Sequence, residues 1–298
     1  MREPPRIRLL ADGRRVHLQD GPIDLILEAW GSPAAVRAAH RAAALRMNGL
    51  LDGLCEELAI LRAPVGALSP VPQGPVARRM WDAVRPYADD CFITPMAAVA
   101  GAVAEAVLAA MVAAGPLDRA YVNNGGDIAL HLTDGERFTT GLIYRPDHPS
   151  MIGTAVVEAR DAVRGIATSG RHGRSFSLGI ADAVTILASG AADADAAATI
   201  VANAVDLPGH PGIVRVPADS LAPDSDLGSR LVTRDVPSLS DADRDQALEA
   251  GLQRAAGLVA AGRIVAASLH LQGVTRTIGQ LSLSAHQETQ PVRRMHHA

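Results

Sequence analysis

The stretch from Gly165 to Thr199 reads GIATSGRHGRSFSLGIADAVTILASGAADADAAAT. Small residues dominate it, and hydroxyl, guanidinium, imidazole and carboxylate groups stand between the glycines and alanines. The pattern predicts strands over 163–168 and 183–188, followed by a helix over 191–205. The small residues fit two interpretations: a cleft that is open to a flat ligand, or tight packing of helix on sheet. Composition does not separate the two.

Composition excludes several classes of protein. The chain has 298 residues, a net charge of -4 and no lysine. Schiff-base chemistry, a phosphate-loop lysine and a lysine base are therefore excluded. The arginines are spread along the chain, so neither a nucleic-acid stripe nor a polybasic membrane patch is predicted. Cys55 and Cys91 lack CxxC spacing and indicate neither a disulfide scaffold nor a zinc site.

No membrane segment or secretion signal is predicted. The N-terminal segment is charged and contains prolines, without the apolar core of a signal peptide. The long apolar run over 96–114 is rich in alanine and contains Glu105, which favours a buried helix over a membrane span. We therefore expect a soluble cytoplasmic protein that binds neither nucleic acid nor membrane. A homodimer is compatible with the sequence, although no pattern in it requires one.

The order of the predicted elements is typical of an α+β protein rather than of repeating βαβ units. A single domain is predicted over 1–284, with a disordered tail over 285–298. The other expected elements are a hairpin over 6–30, a helix from 32 to about 61, a short helix over 76–84, a helix over 94–115, three strands over 119–146, a strand over 151–157, an irregular excursion over 208–237, a helix over 240–261 and a closing strand over 264–275.

A glycine pair lies between two predicted strands, in the sequence NNGGD over 123–127. Paired glycines let the backbone adopt positive φ or approach a ligand closely. The Asn124 amide, the backbone of Gly125 and Gly126 and the Asp127 carboxylate would then lie at one rim and contact the ligand. A plain β-turn is the alternative, because Asn-Gly is a common hairpin signal.

A polar loop follows the strand that ends at Thr168, with the sequence TSGRHGR over 168–174. Backbone N–H groups, including that of Gly170, and the guanidinium forks of Arg171 and Arg174 suit phosphate oxygens, so the loop is a candidate anion site. The glycine spacing is not that of a dinucleotide fingerprint. A solvated basic loop is the alternative.

Asp195 and Thr199 lie one turn apart on a predicted helix and share a face. Their carboxylate and hydroxyl groups can offer oxygen to a hard cation such as Mg²⁺, with a backbone carbonyl and phosphate oxygens completing the shell. The alternative is structural, because acidic residues near the start of this helix, such as Asp193, complement the helix dipole and cap it.

The three motifs, in this order, resemble the FAD:protein FMN transferase (ApbE) superfamily. The matching segments are NNGGDIAL, GIATSG and ADAAAT, and the resemblance covers 120–205 well. It implies two related T-fold-type α+β units packed into one globule, with the ligand in the cleft between them. It also implies a Mg²⁺ ion bound by Asp195, Thr199 and the carbonyl of Ala167. An FAD or FMN nucleotide would lie along the Gly-Gly turn and Asp127.

One departure from the superfamily concerns catalysis. Transferase members carry His-x-x-Asp-Pro-x-Thr-Gly after the Thr-Ser-Gly strand end, whereas this chain has RHGRSFSLGIAD. His172 is an alternative acid–base group in this interval. Together with PMAAVAG over 95–101, the pattern resembles a shorter, non-lipoprotein branch of the superfamily and argues against flavinylation of an exported protein.

Three functions are compatible with these motifs. The first is a Mg²⁺-assisted enzyme that acts on a flavin or a related phosphorylated heterocycle, with His172 as the acid–base group. The second is a non-catalytic binding protein for a flavin- or pterin-like ligand. The third is a hydrolase with Ser169 or Ser177 as nucleophile and His172 as base, although the loop lacks Gly-x-Ser-x-Gly. The predicted ligand-binding residues are Asn124, Gly125, Gly126, Asp127, Thr168, Gly170, Arg171 and Arg174.

Overall fold

The computed structural model describes residues 4–143, 151–279 and 283–285. Its strands are β1 (Arg6–Leu9), β2 (Val16–Asp20), β3 (Ile23–Trp30), β4 (Arg119–Asn124), β5 (Asp127–Leu132), β6 (Arg137–Ile143), β7 (Met151–Glu158), β8 (Gly165–Ser169), β9 (Ala183–Ala188), β10 (Val214–Pro217), β11 (Leu231–Asp235), β12 (Ala266–Leu271), β13 (Val274–Gly279) and β14 (Leu283–Ala285). Its α-helices are α1 (Pro33–Met47), α2 (Leu50–Glu56), α3 (Leu58–Leu61), α4 (Pro75–Val84), α5 (Val99–Ala113), α6 (Ala191–Ala204), α7 (Ala218–Leu221) and α8 (Asp241–Ala260).

A nine-stranded antiparallel sheet forms the centre of the fold, in the order β1-β2-β3-β4-β5-β8-β9-β12-β13. Its two halves repeat one element order, because a hairpin, helices and a second hairpin occur in each: β2-β3 then β4-β5, and β8-β9 then β12-β13. The halves join where Ile128 of β5 pairs with Ile166 of β8. The α+β class is confirmed, and the repeated order agrees with two related units.

Different elements pack on the two faces of the sheet. On the helical face, α5 packs on β4 and β5, α6 on β8 and β9, and α8 on β12 and β13. Val122 and Ala167 point into this larger core. On the opposite face, called the hairpin face, Leu130 and Ile166 form a second cluster with Val157 of β7. Because successive strand residues alternate, each functional side chain can be assigned to one of these faces.

The long apolar segment forms part of the core. Pro95–Ala113 is long and apolar enough to cross a membrane, by length and composition only. It begins with a 3-10 turn at Pro95–Ala98 and continues as α5, which contacts α1, α6 and the sheet. Val103, Val107 and Met111 are fully buried there. The helix therefore packs within the described fold, as its alanine-rich sequence predicts.

Two predicted elements are divided in the structure. The helix expected from 32 to 61 is three helices: Gly49 adopts a left-handed φ of 72° between α1 and α2, and Glu57, at φ -107° and ψ 13°, separates α2 from α3. The closing strand expected over 264–275 is the hairpin β12–β13, whose turn at Gln272 and Gly273 has φ values of 44° and 82°. Both errors come from turns inside continuous apolar patterns.

Two further predictions concern the C-terminal part of the chain. The excursion over 208–237 is not irregular throughout, because it contains the antiparallel pair β10–β11 and the short helix α7. Strand β14 pairs with β7 and extends to residue 285, one position beyond the predicted end of the domain. The rest of the predicted tail, over 286–298, lies outside the described residues.

Candidate functional site

The candidate site lies where the two halves of the sheet join. At this edge, called the site edge, β4 ends, β5 begins and β8 ends. In the turn between β4 and β5, Gly125 and Gly126 have φ values of 65° and 121°. Residues with a side chain rarely adopt such values. Gly126 donates its N–H to Oδ1 of Asn123 at 2.8 Å. The motif is therefore a hairpin turn that requires glycine, and it also leaves the backbone open to close approach.

Two carboxylates meet at the site edge. Oδ1 of Asp127 accepts a hydrogen bond from the backbone N–H of Thr168 at 3.2 Å. Oδ2 of Asp195, on α6, accepts one from the N–H of Gly101 at 3.0 Å. Burial raises the pKa of Asp127 to about 7. Burial, and then the charge of Asp127, raises the pKa of Asp195 well above its ordinary value. Asp127 therefore lies at the end of β8, and Asp195 lies near enough for the charge of Asp127 to act on it.

Asp195 and Glu105 cap each other's helices. Asp195 of α6 accepts the N–H of Gly101 in the first turn of α5. Glu105 of α5 accepts the N–H of Ala192 in the first turn of α6 at 3.0 Å. The residue at the N-cap of α6 forms no side-chain cap of its own. Glu105 rather than Asp193 therefore caps α6, and Asp195 has a structural role besides any role towards a ligand.

The close approach of α5 and α6 depends on glycine. A Cβ atom added to Gly101 would lie 2.2 Å from the carbonyl oxygen of Ala191. The end of β4 is tied to the same helix, because Nδ2 of Asn124 donates to the carbonyl of Ala100 at 3.1 Å. Asn124 is therefore a buried link between sheet and helix. The small residues of PMAAVAG serve this packing.

Asp182, at the loop before β9, holds the polar loop over 170–174. Its Oδ1 accepts a hydrogen bond from Nε of Arg171 at 2.8 Å, and Nη2 of Arg171 lies 2.7 Å away. Nε2 of His172 lies 3.2 Å from the same oxygen, and Gln272 donates its N–H to Oδ2 at 2.5 Å. A Cβ atom at Gly170, where φ is 153°, would lie 2.5 Å from the carbonyl oxygen of Asp182. Arg171 is thus engaged in an internal ion pair.

Arg174 differs from Arg171 because its side chain is 70% exposed. Its Nη2 lies 3.9 Å from Oδ2 of Asp24, a distance too long for a hydrogen bond. Its guanidinium approaches the Gly-Gly turn, because Nη1 would lie 3.6 Å from a Cβ atom added to Gly125. Of the two predicted phosphate clamps, Arg174 is the one whose charge is offered to solvent at the site edge.

Thr168 serves the site through its backbone. Its Oγ1 lies 2.9 Å from Oγ1 of Thr185, and alternation along β8 places this hydroxyl on the hairpin face with Ile166. Its N–H points instead to Asp127. The two groups of Thr168 are therefore directed to different sides of the strand end, which the sequence motif alone does not show.

The other predicted site residues are the expected metal ligands Ala167 and Thr199 and the candidate nucleophiles Ser169 and Ser177. Ala167 is buried in β8, and Thr199 is partly buried one turn after Asp195 on α6. Ser169 is partly buried at the end of β8, whereas Ser177 is buried and donates its hydroxyl to the carbonyl of Gly179 at 3.2 Å. This hydrogen bond engages the Ser177 proton away from a base, so the structure gives no support to Ser177 as a nucleophile.

The oxygen atoms of Asp127, Asp195, Thr199 and the Ala167 carbonyl suit a hard cation only if a bound ligand supplies further oxygen atoms. Within the residues that the structure describes, no group of three or more His, Cys, Asp or Glu side chains could hold a metal. Two carboxylates, a hydroxyl and a carbonyl are nevertheless the oxygen ligands that Mg²⁺ prefers, and Mg²⁺ usually completes its shell with water and phosphate.

Two cavities lie away from the candidate site. One, of about 110 Å³, is lined by Arg46, Gly49, Leu50, Gly53, Leu54, Gly74, Pro75, Val76 and Ala77. The other, of about 530 Å³, is lined by Gly135, Glu136, Arg137, Glu158, Ala159 and Arg160.

The raised pKa of Asp127 predicts a pH dependence of stability. The folded protein keeps the proton between the ordinary value of 3.8 and about 7, where the unfolded chain has lost it. The free energy of unfolding should therefore fall as the pH rises through this window, by at most about 1.4 kcal/mol per pH unit for this group. Asp127→Asn, which mimics the neutral acid, should flatten this dependence. Urea denaturation at several pH values with a chelator present measures it, and parallel curves for both proteins would contradict it.

Sequence reasoning missed Asp182 and Glu105. Glu105 had a signal, because it is the one acid inside a long apolar helix, and such a group needs a buried partner. Asp182 had none, since a single acid before a strand is also typical of a loop. Both acids bind residues far along the chain: Glu105 accepts from Ala192, 87 residues away, and Asp182 accepts from Gln272, 90 residues away.

Comparisons with known proteins agree with the resemblance to ApbE. A family model described as AbpE bacteria matches residues 7–280. A UPF0280 protein of Methanopyrus kandleri is 36% identical over 177 residues, which is 58% of this chain and 66% of that protein. A UPF0280 protein of Methanosarcina acetivorans is 41% identical over 116 residues, 39% of this chain and 44% of that protein. The chain thus matches less than two thirds of either relative's length.

One solved structure also resembles the chain. A mutant of the flavin transferase ApbE from Vibrio cholerae aligns with a TM-score of 0.38 and 11% sequence identity. The alignment covers 89% of this chain and 96% of that protein.

Proposed function

The chain belongs to the AbpE bacteria family, and from this premise we propose that it is a cytoplasmic, Mg²⁺-assisted enzyme acting on a flavin or a related phosphorylated heterocycle. The observation that carries the proposal is the meeting of Asp127 and Asp195 at the end of β8. Burial raises the pKa of both acids, and the charge of Asp127 raises that of Asp195 further. A divalent cation between them would stabilise both charged carboxylates. Thr199 and the carbonyl of Ala167 are the further protein ligands that we propose.

The chain's own groups would divide the work of binding. A bound Mg²⁺ would neutralise charge on the oxygens of a diphosphate. Arg174 and the backbone of Gly125 and Gly126 would hold phosphate oxygens at the site edge. Arg171, through its ion pair with Asp182, would keep the loop in place rather than touch the ligand. Asn124 would fix the turn against α5.

Binding of FAD tests this proposal directly. We expect calorimetry to show FAD or FMN binding with Mg²⁺ and its loss with a chelator. Arg174→Gln should weaken the affinity about 10-fold, because it removes one charge-assisted hydrogen bond. Arg37→Gln, on the exposed side of α1, is the matched control and should bind normally. Equal affinity with and without chelator would contradict the metal-supported site.

A non-catalytic binding protein is the second candidate. The observation that favours it is that Asp182 engages both Arg171 and His172, the groups predicted to act on the ligand. Separation of the nucleotides after incubation with FAD and Mg²⁺ distinguishes the candidates. Release of FMN and AMP supports the enzyme, and FAD recovered intact from a protein that binds it supports the second candidate.

A further inference from the structure

A second histidine–aspartate pair lies in the first half of the sheet. Nε2 of His17 on β2 lies 2.8 Å from Oδ1 of Asp24 on β3. The two side chains are 30% and 34% exposed, so a ligand can reach them, and the paired strands hold their spacing. Their neighbours Leu18 and Leu25 point into the core under the helices, which places His17 and Asp24 together on the hairpin face.

This pair is connected to the Gly-Gly turn. The second oxygen of Asp24 lies 3.9 Å from Nη2 of Arg174, whose guanidinium approaches Gly125. The backbone N–H of Asp24 also donates to Oδ1 of Asn124 at 3.5 Å, and Nδ2 of Asn124 binds the carbonyl of Ala100. The N–H of the next residue in α5 binds Asp195. One set of contacts therefore runs from the pair, on the hairpin face, past the site edge to Asp195 on the helical face.

The two histidine–aspartate pairs differ in how the carboxylate is used. Asp182 is shared between the fork of Arg171, the ring of His172 and the N–H of Gln272. Asp24 has the ring of His17 at 2.8 Å on one oxygen and a distant guanidinium on the other. A carboxylate that binds mainly one imidazole orients it and sets its tautomer. With Nε2–H directed to the carboxylate, Nδ1 is the nitrogen that accepts a proton.

We propose that His17 is the acid–base residue that acts on a phosphate held by Arg174 at the site edge, and that Asp24 is its positioning residue. The inference rests on the proposed function. The oxygen of a water or hydroxyl acceptor forms a bond to a diphosphate phosphorus, and the bond from that phosphorus to the bridging oxygen breaks. The electron pair leaves with the departing phosphate, and the proton of the attacking oxygen passes to Nδ1 of His17.

Turnover of FAD with Mg²⁺ tests the role of His17. His17→Gln should bind FAD within about twofold of the wild type and lose turnover on the order of 100-fold, as expected for an acid–base group. Asp24→Asn should lose on the order of 10-fold, because it leaves the imidazole in place and removes its orienting charge. His210→Gln is the matched control, since His210 also faces an acid, Asp243, at 3.9 Å. Wild-type turnover in His17→Gln would overturn the proposal.

A spectroscopic measurement separates this inference from the proposed function. In protein labelled with ¹⁵N-histidine, FAD and Mg²⁺ should shift the ring signals of His17, assigned by their absence in His17→Gln, and leave those of His210 in place. Turnover of bound FAD with unmoved His17 signals overturns the role of His17 alone. Binding without any turnover overturns that role together with the proposed enzyme activity, and leaves the non-catalytic binding protein. A wild-type protein that does not bind FAD overturns the proposed function and this inference with it.

Discussion

Replacing Asp195 by Asn is expected to remove Mg²⁺-dependent affinity for FAD on the order of 1,000-fold, because a metal ligand contributes several kcal/mol of charge stabilisation. The fold should persist. The carbonyl oxygen of Asn can still accept the N–H of Gly101, which Asp195 accepts at 3.0 Å. Burial already raises the pKa of Asp195, so a neutral side chain suits the metal-free protein. The free energy of unfolding with chelator present should therefore stay within about 1 kcal/mol of the wild type.

Calorimetry with FAD, with and without Mg²⁺, measures the first effect, and urea denaturation measures the second. Asp193→Asn is the matched control, because Asp193 lies on the same helix in an exposed position of the first turn. It should bind FAD as the wild type does. Unchanged Mg²⁺-dependent affinity in Asp195→Asn would remove this acid from the site and leave it only as the cap of α5.

Replacing Gly101 by Ala is expected to destabilise the protein by about 3 kcal/mol or to prevent folding, because overpacking against fixed atoms is costly. The added Cβ atom would lie 2.2 Å and 2.4 Å from the carbonyl oxygen and carbon of Ala191. These are backbone atoms, so no side-chain rotation relieves the contact. Helices α5 and α6 would have to separate, and the caps provided by Asp195 and Glu105 would lengthen with them.

Gly257→Ala is the control for this change. Gly257 lies within α8, and apart from its chain neighbours and the backbone of its own helix no atom lies within 4 Å of the position of its added Cβ. Alanine there should stabilise the protein by about 0.5–1 kcal/mol, because glycine costs conformational entropy in a helix. Urea denaturation of both variants gives the comparison. Similar stabilities for the two would show that α5 and α6 tolerate separation and that glycine at 101 is not required for packing.

The sequence predicted the site edge better than the side chains that serve it. The Gly125–Gly126 turn, the strand ending at Thr168 and the helix carrying Asp195 are where their motifs placed them. Arg171 was predicted as a phosphate clamp beside Arg174, yet the structure pairs it with Asp182. Both arginines look alike in sequence, because nothing in a local pattern tells which of them meets a buried carboxylate.

Local patterns were sufficient for most elements because a strand or helix repeats every two or 3.6 residues, and because glycine or proline marks its ends. Thus the sequence alone determined the α+β class, the glycine turn and the shared face of Asp195 and Thr199. Three contacts are visible only in the folded chain: Asp195 caps α5, Asp182 holds the polar loop, and His17 meets Asp24 beside the turn. The contact of Asp195 with Gly101 joins positions 94 residues apart. Such contacts depend on strand order and on how closely two helices cross, and these are properties of packing that no short stretch of sequence contains.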